Sequence, residues 1–352
     1  MTLRRTLLAF VAIGSMAGLA ACGGGGGDTE AGALVETTVE AAPETTVPEV
    51  PTYPLTGLEV TDESVLSRPA MVVKIDNHPK ARPQIGLNQA DIIFEENVEK
   101  LTRFAAVFHS QGSDPVGPIR SGRFQDISLV GSFNQPLFVW SGGNAQVTKS
   151  IRESDLVDLS FTVANNDGGY ARDSDRPAPH NLIAETSKLW TLANEGSVPP
   201  QRQFEYRSVS DANASTSTTV DGFRISMDGV KAQWLWSAAD GAYLRVQDGT
   251  PHLDAADVQL GVANVIVLEV TYSNTYSPAA KTVGSGKAYV FTNGVVYEGT
   301  WERSVRTEPW ILRDSGGAVI KLTPGRTFVE IARADKVAII GQGVDPETVK
   351  FP

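Results

Sequence analysis

Over most of the chain apolar residues fall in short runs rather than in long helical stripes. Residues 69–75, 90–95, 103–109 and 136–140 are largely apolar and are bounded by Pro, Gly, Asp or Asn, so each predicts a strand. Between them, Phe124, Ile127 and Leu129 could line one side of a short helix over 124–130. Asn144 stands where it can cap a helix carrying Val147, Ile151 and Leu156, and a further helix is expected over 184–194. From Val220 the rhythm changes to short runs punctuated by Asp228-Gly229, Asp240-Gly241, Asp248-Gly249, Asn293-Gly294 and Pro324-Gly325. These are hairpin turns, clearest where 287–292 and 295–301 flank Asn293-Gly294, because Asn and Gly tolerate the positive φ such turns require. The fold class that follows is an α/β N-terminal domain, a sheet with helices, over 54–206. A Ser/Thr-rich linker over 207–219 then leads to a mainly antiparallel β domain over 220–345.

The first 53 residues follow a different pattern. Arg4 and Arg5 precede an apolar stretch over 7–19 that is short for a membrane span, and Leu19-Ala20-Ala21-Cys22 matches a bacterial lipoprotein box. The expectation is a signal peptide over 1–21, acylation of Cys22, and a protein held on the extracytoplasmic face of the cell membrane. Its partner there is the lipid bilayer, since several acyl chains bury enough CH₂ groups for stable anchoring. Residues 22–53 contain Gly23 to Gly27 and six carboxylates without a Lys or Arg, a composition that cannot bury a core and predicts a disordered tether.

Charge narrows the partners. The formal charge of −11 becomes −13 once Arg4 and Arg5 leave with the signal, so nucleic acid is a poor partner. With one cysteine, Cys22, no disulfide is available, and the four histidines show no metal-ligand spacing. Neither a P-loop, a dinucleotide fingerprint nor a Gly-x-Ser-x-Gly elbow occurs, and whether there is a cofactor is unknown from the sequence.

Against this acidic background a few cations on predicted loops stand out. Gly117-Pro118-Ile119-Arg120-Ser121-Gly122-Arg123 places two guanidiniums three residues apart on a glycine-bearing turn. Arg103 at a strand end and Arg176, His180 and Asn181 in a Pro-rich loop complete a candidate ligand-binding set with Ser121. The plainer alternative is that the arginines pair with Glu95, Glu96 or Glu99 and that His180 caps a carbonyl. Ser121, His180 and Asp175 share the residue types of a triad and nothing more. In the second half Trp234 with Trp236, and Tyr289 with Phe291, share strand faces. One pair must be core, and an exposed pair would stack on sugar rings or a peptide.

Several blocks resemble a known family. Arg82–Leu87, Ala90–Glu95, Thr102-Arg103-Phe104, Gly117–Arg123 and Ala178-Pro179-His180-Asn181 are similar to signature blocks of the YerB family of lipoproteins, which carry paired DUF3048 domains, over residues 54 to 345. The resemblance implies a surface lipoprotein of a kind widespread in Gram-positive bacteria, and it brings no catalytic residues with it. A looser similarity in order, through Asp91-Ile92-Ile93, Arg120–Arg123 and Gly142-Gly143-Asn144, is to the LytR-CpsA-Psr transferases of wall polymers. In those enzymes arginines hold a pyrophosphate beside an acidic metal site; here Ser121 stands where an Asp is expected. Two functional expectations follow. The first is binding of an anionic cell-wall component or an envelope protein through an Arg/His-lined cleft. The second is a metal-dependent transferase using Asp91 or Asp126. A third expectation is a scaffold that docks another envelope protein through its β domain.

Overall fold

Runs that are apolar at nearly every position belong to strands covered on both faces, and the central strands have that character. A computed structural model describes residues 50–208 and 211–352. The expected signal peptide, Cys22 and most of the expected tether lie outside the described residues. The first half contributes strands β1 (Met71–Asp76), β2 (Ile92–Val98), β3 (Leu101–Phe108), β4 (Leu137–Val139), β5 (Val157–Asp158), β6 (Ala171–Arg172) and β7 (Leu182–Ile183). Its helices are short: α1 (Phe124–Leu129), α2 (Ala145–Arg152), α3 (Phe161–Ala164) and α4 (Thr186–Trp190). The second half adds β8 (Thr218–Met227), β9 (Val230–Ser237), β10 (Ala242–Gln247), β11 (Thr250–Pro251), β12 (Gly261–Val262), β13 (Asn264–Glu269), β14 (Gly284–Thr292), β15 (Val295–Arg303), β16 (Ile311–Asp314), β17 (Thr327–Ala332) and β18 (Val337–Gly341). The molecule is therefore sheet-rich, and its C-terminal part is mainly antiparallel.

The sheet does not stop at the join between the halves. Its central order is β15-β14-β13-β17-β2-β3-β1-β4-β5, in which β17 pairs parallel with β13 on one side and with β2 on the other. Strands β8, β9, β10 and β18 form an antiparallel layer joined to β15 through Thr218 and Thr219. Alternation along β1 shows how both faces are used. Met71, Val73 and Ile75 belong to the buried apolar cluster that also holds Phe223, Trp234 and Tyr243 of that layer, while Val72 belongs to the cluster on the other face, with Leu129, Phe138 and Ile151.

The structure refines several local expectations. Asn144 caps α2 as its position suggests, its Oδ1 accepting from Val147 N at 2.9 Å, but α2 ends at Arg152 and Leu156 packs from the following loop. The helix expected over 184–194 is reduced to Thr186–Trp190. Helix α1 does not bury the Phe124 side, which is exposed; its inward residues are Gln125, Asp126 and Leu129. The cause is Lys74 on β1, which is buried and needs carboxylates: Asp126 Oδ1 lies 2.8 Å from its Nζ, and Glu96 also binds it. The hairpin about Asn293-Gly294 forms, with Thr292 paired to Val295. Trp234, Tyr289 and Phe291 are core residues and Trp236 is half-buried against the same cluster, so neither pair forms an exposed platform.

Candidate functional site

Backbone pairing gathers the predicted cations at one end of the first half's strands. The last pair of β1 and β3 sets Asp76 opposite Arg103, and β3 pairs Arg103 with Glu96 of β2 on its other side. The turn between β2 and β3 is the two residues Glu99 and Lys100, with Glu99 in the left-handed region at φ 47°. Beside β1, Asp76 N donates to Pro118 O and Arg120 N to Lys74 O, which lays 117–120 along the strand. Ile119 N donates to Leu182 O at 2.6 Å, bringing the segment after His180 alongside. Gly117, at φ 150°, is required for this close approach, because a Cβ there would stand 2.8 Å from Leu182 O.

The result is a cleft of about 270 Å³ lined by Asp76, His78, Glu99, Lys100, Arg103, Arg120, His180 and Tyr276 together with Val98, Leu101 and Thr102. At its floor Asp76 Oδ2 lies 2.7 Å from His180 Nδ1 and 3.3 Å from Arg120 Nε. His180 and His78 stack with centroids 4.1 Å apart and planes inclined by 14°. Burial, with the neighbouring His180 as a lesser cause, holds the His78 imidazole below its ordinary pKa. Arg103 donates from Nη1 to Ser121 O at 3.0 Å and lies 3.7 Å from Glu99 Oε2. Its burial lowers the guanidinium to about 10, still cationic at neutral pH.

Of the seven candidates for ligand contact, Arg103, Arg120 and His180 line this cleft and the other four support it. Arg123 binds Glu99 Oε1 through Nε at 3.0 Å and Nη2 at 2.7 Å. Ser121 gives its carbonyl to Arg103, while its hydroxyl lies 3.4 Å from that of Ser141. Arg176 reaches Asp173 Oδ2 and Ala81 O, each at 2.8 Å, and Asn181 Oδ1 accepts from Arg172 Nη1 at 2.8 Å; both brace the loop that carries His180. The partner of His180 is Asp76, neither a backbone carbonyl nor Asp175, which is exposed. Arg103 does meet Glu99, one of its expected partners, but Arg120 meets Asp76 instead.

The two carboxylates considered for metal or base chemistry are elsewhere. Asp91 is buried and accepts from His109 N at 2.6 Å and from Ser110 N at 2.8 Å, and Asp126 is committed to Lys74 and to Arg123 N. A larger hollow of about 370 Å³ has an apolar wall of Phe204, Trp310, Leu312 and Ile320, and its charged lining is balanced, Arg202 and Arg313 against Glu205 and Glu308, so it holds no excess of cations. Asp76, His78, Lys100 and Tyr276 were not among the predicted site residues. The only sequence signal for the first two was the polar turn Asp76-Asn77-His78-Pro79 after a strand, and Tyr276 gave none.

Two family models match in succession, the protein of unknown function (DUF3048) N-terminal domain over residues 55–198 and its C-terminal domain over 223–329. The chain belongs to the DUF3048 family. It is 28% identical over 300 residues to the Bacillus subtilis protein named "Putative lipoprotein YerB", across 82% of this chain and 88% of that one. The crystal structure of YerB protein from Bacillus subtilis superposes with a TM-score of 0.71 at 24% identity, covering 82% of this chain and 99% of that one. This likeness supports the fold. The cleft falls mostly within the first matched segment, but Tyr276 comes from the second.

Proposed function

We propose that this chain is an extracytoplasmic lipoprotein, anchored through acylated Cys22, that binds an anionic ligand of the cell envelope in the cleft of Arg103, Arg120 and His180. The relative's name and the lipoprotein box at Cys22 support the anchoring. Among the described residues no helix is long and apolar enough to cross a membrane. The observation that carries the binding reading is the charge count around the cleft. Its lining carries Arg103, Arg120 and Lys100 against Asp76 and Glu99, so cations exceed carboxylates there even with both histidines neutral. In a protein of formal charge −11 this local excess focuses a positive potential at one concave place. Arg120 is its centre, partly exposed and held by Asp76 at 3.3 Å, with no hydrogen bond satisfying Nε.

Titration calorimetry with inorganic phosphate provides the test. Arg120→Ala is expected to weaken phosphate binding about tenfold, the loss of one charge-assisted contact of roughly 1.5 kcal/mol. Rising salt is expected to weaken the wild type more steeply than the variant. Equal affinities for the two proteins would sink the assignment of the cleft.

A further inference from the structure

A cleft that only held phosphate would need donors and nothing else, yet this one carries an aromatic face and a hydrogen-bond acceptor besides. Tyr276 is 82% exposed and makes no hydrogen bond, ring contact or cation contact with any described residue. It sits at the tip of a hairpin whose base is fixed. Tyr272 pairs with Ala280, Asn97 N donates to Tyr272 Oη at 3.2 Å, and that hydroxyl donates to Ile331 O at 2.6 Å. Ala280 N donates to Gln125 Oε1 at 2.8 Å, and Ser273 N to Ala279 O at 2.9 Å. The second half of the chain thus holds a phenol ring at the rim of a cationic hollow built by the first.

The imidazoles add complementary polarity. His78 Nδ1 accepts from Lys80 N at 3.1 Å, so the neutral ring carries its proton on Nε2 and is a donor. His180 Nδ1 faces Asp76 Oδ2, so the neutral ring donates there and keeps a lone pair on Nε2, which bonds to no described residue. The cleft therefore offers guanidinium donors for an anion, an imidazole acceptor for a hydroxyl, and an aromatic face for a ring. Resting on the anion-binding reading above, we propose that the ligand is an anionic sugar. Its charged group lies against Arg103 and Arg120, a hydroxyl donates to His180, and the C–H face of the pyranose packs on Tyr276. The negative face of an aromatic ring favours the weakly positive C–H surface of a sugar, and covering an exposed ring removes apolar area from water. Phosphate and carboxylate both satisfy the guanidiniums, and two probes separate them.

The experiment is titration calorimetry on the full chain in detergent micelles with glucose 1-phosphate, glucuronate, glycerol 3-phosphate and the peptide acetyl-Glu-Glu-amide. One of the two sugars is expected to bind about tenfold more tightly than glycerol 3-phosphate, and which one it is identifies the anionic group. Tyr276→Ala is expected to bring that ratio close to one, and Tyr276→Trp to preserve it. A ratio indifferent to Tyr276→Ala, or tightest binding by the peptide, overturns the sugar assignment. If glycerol 3-phosphate binding is still lost in Arg120→Ala, the anion reading survives that failure. If wild type binds none of the four, both readings fall together.

Discussion

Asp91 shows how one buried carboxylate can bear on stability without belonging to the cleft. Burial pushes it up to about 6, although hydrogen bonds from Ser110 and His109 and the Arg68 guanidinium oppose the rise. A carboxyl whose pKa is higher folded than unfolded binds its proton more tightly in the native state. It therefore adds stability as pH falls through 6, and the gain is complete below the unfolded value of roughly 3.9. At about 1.4 kcal/mol per unit the difference approaches 3 kcal/mol. Asp91→Asn keeps a carbonyl oxygen for the backbone donors and an amide for Ser110 but cannot titrate. Between pH 7 and pH 4 the stability of wild type relative to Asp91→Asn is expected to rise by up to about 3 kcal/mol in urea unfolding. Parallel pH profiles would show that Asp91 is not protonated in that range. The arginines read differently from Asp91. Their residue type and loop position were legible in sequence, whereas the division into Arg103 and Arg120 at the cleft and Arg123 and Arg176 behind it depends on which carboxylate the fold brings near.

Elements deliver those residues through strand ends, and Gly117 is where that delivery is most exposed to a single change. Replacing it with Ala would impose φ 150° on a residue with a Cβ and press that carbon to within 2.8 Å of Leu182 O. The segments bearing Arg120 and His180 would have to separate. Gly117→Ala is expected to cost roughly 1–3 kcal/mol of stability and to weaken phosphate binding at the same time. Unaltered thermal unfolding with full binding would contradict that account. The strands themselves were legible because burial on both faces leaves mostly apolar runs, Met71 to Val73 within β1 and Phe104 to Phe108 within β3, despite the buried Lys74 and Arg103. The Asn293-Gly294 turn was legible because its backbone demands those residues. In helix α1 Leu129 and Ile127 turn inward as expected, but Phe124 does not, because Asp126 is drawn to a buried lysine on another strand, a partner that local periodicity does not encode. Tyr276 gave no signal because a single Tyr in a Ser/Asn/Thr-rich turn looks the same whether it overhangs a cleft or open solvent.

At the scale of the molecule, the sequence reads as two successive parts, while the sheet interleaves them. Strand β17, late in the chain, lies between β13 and β2 and pairs in register from Thr327 with Ile92 to Ile331 with Glu96. This register sets Glu330 opposite Glu95, two buried carboxylates, and Arg245 of β10 meets Glu95 across the layers while Trp234 Nε1 donates to Glu330 Oε1 at 3.0 Å. Burial, with Glu95 adding repulsion, raises Glu330 well above the ordinary carboxylate range. Separating the halves would open the edge of β2 and strip Glu95 of its cation, leaving a buried charge without compensation. Residues 49–352 are accordingly expected to unfold in one cooperative step, with tryptophan fluorescence, mostly from the second half, and far-UV circular dichroism changing together in urea. Arg245→Met removes the shared cation and is expected to cost about 3–5 kcal/mol, lowering the midpoint of both signals equally. Two resolved transitions, or a midpoint shift confined to one probe, would mean that the matched segments fold independently despite the strand they share.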